Sequence, residues 1–303
     1  VKPVRVAVVG TFAVGVTLRS SRLPAFGETL HAEGLAVGYG GKGSNQAVAC
    51  ARLGAEVELA TCVGPDAFGE GARALYRNEG VGTRWTKTGS LPTGLGVIVV
   101  EPGGRNAILV DIGANREMDE RFVDERAALL DGADVLLTVT EAPLVAVRRS
   151  IELAYSRGIP TVLNPAPAVP LDQSLLFKVT VLTPNASEVA ALTGREARSL
   201  DSAAAAAREL LRRGARNVVV TLGEDGAVAC SAEGTVHVPA IAVRVVDTTG
   251  AGDAFSAGLT VAMAEGRSLV DAVKFAVRCG SLACTAAQVI PSLPRRADVE
   301  RSV

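Results

Sequence analysis

The segment Asp247-Thr248-Thr249-Gly250-Ala251-Gly252-Asp253-Ala254-Phe255 holds the residues best spaced to do chemistry. It follows the β-like run Ile241 to Val246 and leads into small residues of helical character, Ser256-Ala257-Gly258. Gly250 and Gly252 let the backbone turn tightly, so the N–H groups of Ala251, Gly252 and Asp253 are expected to converge on an anion from a helix N-terminus. A carboxylate at that helix start would repel a phosphate that was merely bound. It makes sense as a general base beside a phosphoryl group in transit. The plainer alternative is a glycine turn whose Asp253 caps the helix.

A second constellation is Gly40-Gly41-Lys42-Gly43-Ser44-Asn45-Gln46, running into a helix over Ala47 to Leu53. Close backbone approach, a flexible cation and a carboxamide suit a small ligand with several hydroxyls. Gly38 to Gly43 also fits the dinucleotide pattern G-x-G-x-x-G, with Glu56 and Glu58 downstream. That reading is set aside, because the first βα crossing of a dinucleotide fold would follow Val4 to Val9 instead. The pattern G-x-x-x-x-G-K-[ST] does not occur, which excludes a Walker-type nucleotidase.

The elements that must position these residues alternate. Short β-branched runs stand at Val4 to Val9, Val57 to Val63, Val135 to Val139, Thr161 to Leu163, Val179 to Leu182 and Val218 to Thr221. Amphipathic segments such as Asp66 to Glu79, Leu144 to Ser156 and Asp201 to Arg213 lie between them, with apolar residues at helical spacing. Apolar strands alternating with helices imply a doubly wound α/β core, its mainly parallel sheet covered on both faces. Thr29 to Gly38, and Thr93 to Asp111 with a turn at Pro102-Gly103-Gly104, alternate at period two instead and predict a small half-exposed β-sheet lid. Ala227 to Cys230 and Thr235 to Val238 predict an edge hairpin. The expected organisation is a single domain over residues 1–303, with a lid from about 12–40 and 93–112.

Bulk properties narrow the partners. The 303 residues carry 31 Lys plus Arg against 32 Asp plus Glu, a formal net charge of -1, which gives no electrostatic footprint for nucleic acid or an anionic membrane. The five cysteines are odd in number, scattered and without a C-x-x-C pair, arguing against a disulfide framework or zinc site and for a reducing compartment. The apolar start Val4 to Gly10 is short for a signal peptide, and no apolar stretch reaches the length of a membrane span, so a cytoplasmic enzyme of small molecules is expected.

Taken together, the two glycine-rich sites make the sequence resemble the ribokinase, or PfkB, family of carbohydrate kinases. Gly40 to Ala47, with Gly54 and Gly64 behind it, resembles the family's N-terminal signature, and Asp247 to Asp253 its C-terminal one. Gly113-Ala114-Asn115, Asn164-Pro165-Ala166-Pro167, Thr183-Pro184-Asn185 with Glu188, and Thr221-Leu222-Gly223 stand between them in the family's order. The resemblance implies an ATP- and Mg²⁺-dependent kinase in which Asp253 is the catalytic base and the turn at Gly250 lets the amides of Ala251, Gly252 and Asp253 supply the anion hole. It implies that Asn185 and Glu188 hold the Mg²⁺-nucleotide through water, and that Thr221, Gly223, Gly226 and Gly252 bind nucleotide. For Asn185 and Glu188 a helix capping box needs the same spacing. Gly41, Lys42, Gly43, Asn45 and Glu141 resemble substrate contacts, a solvated charge being the bland alternative for Glu141. Asp247, the Thr249 carbonyl and the Ser292 region resemble the family's monovalent cation site, for K⁺. The resemblance also implies a homodimer paired through the lid.

Two departures stand out. The family's first strand ends in Gly-Ser-x-Asn-x-Asp, whose Asn and Asp bind the sugar, whereas Gly10-Thr11-Phe12-Ala13-Val14-Gly15 has Ala13 and Gly15 there. Leaving a sugar hydroxyl buried without its acceptor costs about 1 to 3 kcal/mol, so ribose is expected to bind poorly. The vacated space suits a deoxygenated, larger or more apolar substrate, with Phe12 either lining the pocket or simply buried. Thr285 to Val289 carries Gln288 where the family commonly has glycine. The expected reaction is phosphorylation of a primary hydroxyl on a sugar or sugar-like molecule. The alternatives are a nucleoside kinase and a catalytically silent ligand-binding protein.

Overall fold

A computed structural model describes residues 3–103 and 105–302, so Gly104 of the expected Pro102-Gly103-Gly104 turn lies outside the described residues. The strands are β1 (Arg5–Val9), β2 (Ala13–Arg19), β3 (Gly34–Gly40), β4 (Glu56–Val63), β5 (Val81–Gly82), β6 (Thr86–Thr88) and β7 (Gly94–Val100). They continue with β8 (Asn106–Asp111), β9 (Val135–Val139), β10 (Thr161–Asn164), β11 (Val181–Leu182), β12 (Val218–Thr221), β13 (Ala227–Ser231) and β14 (Gly234–Val238). The helices are α1 (Lys42–Arg52), α2 (Ala67–Glu79), α3 (Glu120–Asp124), α4 (Leu144–Ser156), α5 (Gln173–Leu176) and α6 (Ala186–Thr193). After them come α7 (Leu200–Arg212), α8 (Ala251–Ala264), α9 (Leu269–Ala283), α10 (Val289–Ser292) and α11 (Arg296–Arg301).

The main sheet runs β14-β13-β12-β11-β10-β9-β1-β4-β5, with β6 paired to β4. Its pairs from β12 through β9 and β1 to β4 are parallel, and only β13 and β14 are antiparallel. Alternate residues of β1 serve opposite layers: Val6 and Val8 pack with α1, α8 and α9, while Ala7 and Val9 pack with α4 and α7. This is the doubly wound α/β fold that the alternating apolar runs predict. The chain order reverses beside β1, which lies between β4 and β9. In such sheets ligands gather beyond the carboxyl ends of strands at the reversal.

A separate four-stranded sheet runs β3-β2-β7-β8. Its strands fall within residues 12–40 and 93–112, but the first expected segment is shifted: Thr29 to Glu33 carry no strand, and the paired residues are Ala13–Arg19 with Gly34–Gly40. The expected strand over Ile241 to Val246 also fails to form. Ile241, Ala242, Val243 and Val245 line a cavity wall instead, and the segment's one backbone hydrogen bond among the described residues is Val246 N–H to the Cys284 carbonyl at 2.8 Å. Among the described residues no helix is long and apolar enough to cross a membrane.

Candidate active site

Helix α8 starts at Ala251 behind Gly250, whose φ of 88° belongs to the left-handed region that favours glycine. A Cβ at Gly250 would also stand 2.7 Å from Val289 Cγ1, so the tight turn needs glycine twice over. The Ala251 N–H closes the turn onto the Thr248 carbonyl at 3.2 Å. That corrects the expectation of three free donors, and leaves Gly252 and Asp253 to present first-turn amides outward.

Asp253 does not cap α8, because no side chain caps this helix. Its carboxylate instead crosses to α1, where Oδ2 accepts from Asn45 Nδ2 at 2.8 Å and Oδ1 from Gln46 Nε2 at 2.9 Å. Gln46 Nε2 also donates to Asn164 Oδ1 at 3.0 Å, and Asn164 Nδ2 to the Thr183 carbonyl at 2.9 Å. Asp253 is only 5% exposed, so this chain of carboxamides fixes its rotamer. The sequence places Gln46 and Asn164 in motifs but gives neither a role, although polar side chains at the end of an apolar strand and in a small-residue helix are a signal of buried hydrogen bonding.

The Gly40–Gln46 segment joins β3 of the small sheet to α1, so Gly38 to Gly43 is no βα crossing of the main sheet and the dinucleotide reading fails. Gly41 has φ 84°, and a Cβ there would lie 2.7 Å from Phe12 Cα. Gly43 rests on Gly10, with a would-be Cβ 2.4 Å from the Gly10 carbonyl carbon. Glu141, two residues beyond β9, is half-buried and held by hydrogen bonds. It accepts the Lys42 N–H at 2.7 Å and the Thr11 hydroxyl, tying the α1 N-terminus to β1. Burial works against the Lys42 ammonium, but Asp253, Glu141 and Glu188 together hold its pKa above the ordinary lysine value. Phe12 is fully buried between Tyr39 and Tyr76, with ring centroids 5.7 and 6.1 Å away, so it lines no pocket.

Asn185 and Glu188 form the capping box of α6: Glu188 N–H donates to Asn185 Oδ1 and Asn185 N–H to Glu188 Oε2, each at 2.8 Å. Burial pushes the Glu188 carboxyl above its usual range, opposed by the Asn185 N–H and the Lys42 charge. Glu188 thus spends one carboxylate oxygen on the helix and keeps the other. Thr221 ends β12 and donates its N–H to the Pro184 carbonyl at 3.0 Å, while Gly223 and Gly226 take positive φ in the following turn. Asp247 Oδ1 accepts from the Thr249 N–H and hydroxyl, and Oδ2 from the Gln288 N–H at 3.2 Å. Burial raises the Asp247 pKa, but these donors outweigh it and the net shift is downward. The Ser292 hydroxyl donates to the Val289 carbonyl at 2.9 Å, inside its own helix.

Two cavities meet at the glycine turn. One, of about 880 Å³, is lined by Thr221, Gly223, Gly226, Thr248, Ala251 and Gly252. The other, of about 640 Å³, lies between the small sheet and Asp247, Thr249 and Ala287–Pro291. Successive residues of one turn thus face different chambers, with Asp253 immediately behind.

A model for the pfkB family carbohydrate kinase matches residues 4–296. Ribokinase of Schizosaccharomyces pombe is 35% identical over 310 residues, covering 99% of this chain and 98% of that protein. Deoxyribokinase of Salmonella typhi is 38% identical over 252 residues, 82% of each chain. The structure of Arabidopsis thaliana ribokinase complexed with ribose and ATP superposes with a TM-score of 0.94 at 30% identity, covering 100% of this chain and 99% of that one. The chain therefore belongs to the pfkB family of carbohydrate kinases, phosphotransferases whose acceptor is an alcohol group.

Proposed function

We propose that the chain transfers the γ-phosphoryl group of ATP to a primary hydroxyl of a small sugar-like molecule, with Asp253 as general base. The observation that carries this reading is the single turn shared by the two cavities: Thr248, Ala251 and Gly252 line one, Asp247 and Thr249 the other, and the buried Asp253 carboxylate follows directly. A nucleotide in the larger groove and an alcohol in the smaller would meet there. Asp253 takes the hydroxyl proton as the oxygen forms its bond to the γ-phosphorus. The bond from that phosphorus to the β–γ bridging oxygen breaks, and its electron pair leaves with ADP.

The remaining residues position and neutralise. The amides of Gly252 and Asp253 face the charge developing on the transferred group, and the Lys42 ammonium offsets the local carboxylates. Glu188, with one carboxylate oxygen left free by the capping box, suits a Mg²⁺ that arrives on the nucleotide's phosphates with most of its waters. Bound there, the ion would supply charge neutralisation at the phosphates. We read the four-stranded sheet as a lid that excludes water from the acceptor. Leu35, Val37 and Leu109 share its outer face, exposed, and we assign that face to a second copy of the chain.

The inner face offers ribose little. Ala13 and Gly15 provide no side-chain acceptor, and the relatives include one named deoxyribokinase. Incubation with ATP, Mg²⁺ and a panel of sugars, polyols and nucleosides, followed by phosphorus NMR, should reveal a new phosphomonoester, with ribose well below the best compound. Nucleotide binding without any monoester would identify a silent binder and end the kinase reading. A monomeric mass in solution would remove the pairing through the sheet.

A further inference from the structure

The inner face of the small sheet contains an unusual row. Gly15 of β2 lies directly opposite Gly38 of β3 on one side and Gly96 of β7 on the other. The rows beside it are also small, with Ala13 between Gly40 and Gly94, and Thr17 between Ala36 and Ile98. Nothing in the backbone requires glycine at the central three positions, since none has a positive φ. Space does not require it either. A Cβ would meet nothing within 4 Å at Gly38, and nothing closer than 3.8 Å at Gly15 or Gly96. Glycine weakens a strand interior, and where packing does not explain it a ligand approaching the backbone does.

That ligand has a defined place. Gly15, Gly38, Thr17 and Ile98 line the 640 Å³ cavity, which extends to Gly40 and to Thr249 of the anion turn. Nearby, Asn45 is 5% exposed with its Nδ2 spent on Asp253 and its Oδ1 without any donor, a buried acceptor waiting for a hydroxyl. On the wall facing the glycines stands Gln288, whose carboxamide forms no hydrogen bond among the described residues. It occupies φ 66°, ψ 154°, where side chains are rarely tolerated. The chamber's floor is therefore bare at Gly15 and Gly38, with the Thr17, Arg19 and Ile98 side chains beside them and a carboxamide on another wall.

A puckered, hydroxylated ring would face the bare row without a side-chain partner for its hydroxyls. A flat heterocycle needs none across its faces, and the adjacent Gly15 and Gly38, one strand spacing of about 4.8 Å apart, leave bare backbone for it to lie on. Its edge offers mixed donors and acceptors, which a carboxamide can match in either sense. We propose that the acceptor is a nucleoside-class molecule: a sugar whose hydroxyl reaches Asp253 and Asn45, carrying a planar heterocycle that lies over Gly38 and Gly15 with its edge read by Gln288. This rests on the kinase reading and narrows its acceptor.

The test compares adenosine, guanosine, cytidine, uridine and their 2′-deoxy forms with free ribose and 2-deoxyribose, under Mg²⁺-ATP, by ADP release. The best nucleoside should exceed the best free pentose by at least about tenfold in kcat/KM. A free pentose turned over as well or better overturns the nucleoside assignment and leaves the kinase intact. No turnover of any compound overturns both. Gly38→Val, which the open space accommodates, should raise KM for the best nucleoside about tenfold without lowering the melting temperature. Gln288→Gly should also raise that KM while keeping kcat, and should melt at the same or a higher temperature because it relieves the positive φ. Unchanged KM in both variants contradicts the proposal.

Discussion

Asp253 is third in α8, yet it serves α1 rather than its own helix, held there by the Asn45 and Gln46 carboxamides. Hydrogen bonds to charged groups are worth about 1.5 to 3 kcal/mol, so Gln46→Leu should lower kcat about 10- to 100-fold. KM for ATP should stay near wild type, which steady-state kinetics will check; an unchanged kcat would make Gln46 a packing residue. Glu188 illustrates the opposite conflict. Its folded pKa lies above the ordinary 4.5, so the stabilisation from its proton is complete below that value and lost as pH rises through the raised one. Glu188→Gln keeps the capping-box geometry. Without nucleotide it should melt higher than wild type at pH 7 to 8, with the gap closing towards pH 4. Thermal unfolding across that range decides the point. A gap that persists unchanged at pH 4 would exclude burial of the charge as its cause.

At the scale of elements, β1, β9, β10, β11 and β12 all deliver functional groups from their carboxyl ends: Thr11, Glu141, Asn164, Asn185 and Thr221. The N-termini of α1 and α8 then close on this row from one side, and the closeness of Gly10 to Gly43 sets how near α1 can come. Gly43→Ala would drive its Cβ to 2.4 Å from the Gly10 carbonyl carbon. Overpacking of this kind costs about 1 to 3 kcal/mol, and should appear as a lower denaturant midpoint. The sequence made most of this row legible, because apolar strand runs and glycine-rich turns are local signals. It missed the strand Ala13–Arg19, whose mixture of valines, glycine and threonine has weak alternation and is defined by its neighbours β3 and β7. It overread Ile241 to Val246, a β-branched run with no strand edge beside it to pair with. Strand formation needs a partner, which one-dimensional pattern does not contain.

Over the whole molecule, the site joins residues 45, 141, 185 and 253, which the doubly wound topology gathers at the reversal beside β1. The identities of these residues were readable from motif and order. Their pairings were not, since a contact such as Gln46 with Asp253 spans 207 positions. The same long-range placement separates the two cavities by one turn, and the proposed kinase mechanism depends on what lies behind that turn. The most direct measurement is rapid-quench transfer from γ-labelled ATP to the best acceptor, comparing wild type with Asp253→Asn. The isosteric amide should keep both carboxamide neighbours within reach and keep binding of nucleotide and acceptor, while transfer falls about 10²- to 10⁴-fold for loss of the base. Transfer at the wild-type rate by a folded, ligand-binding Asp253→Asn protein would contradict the account.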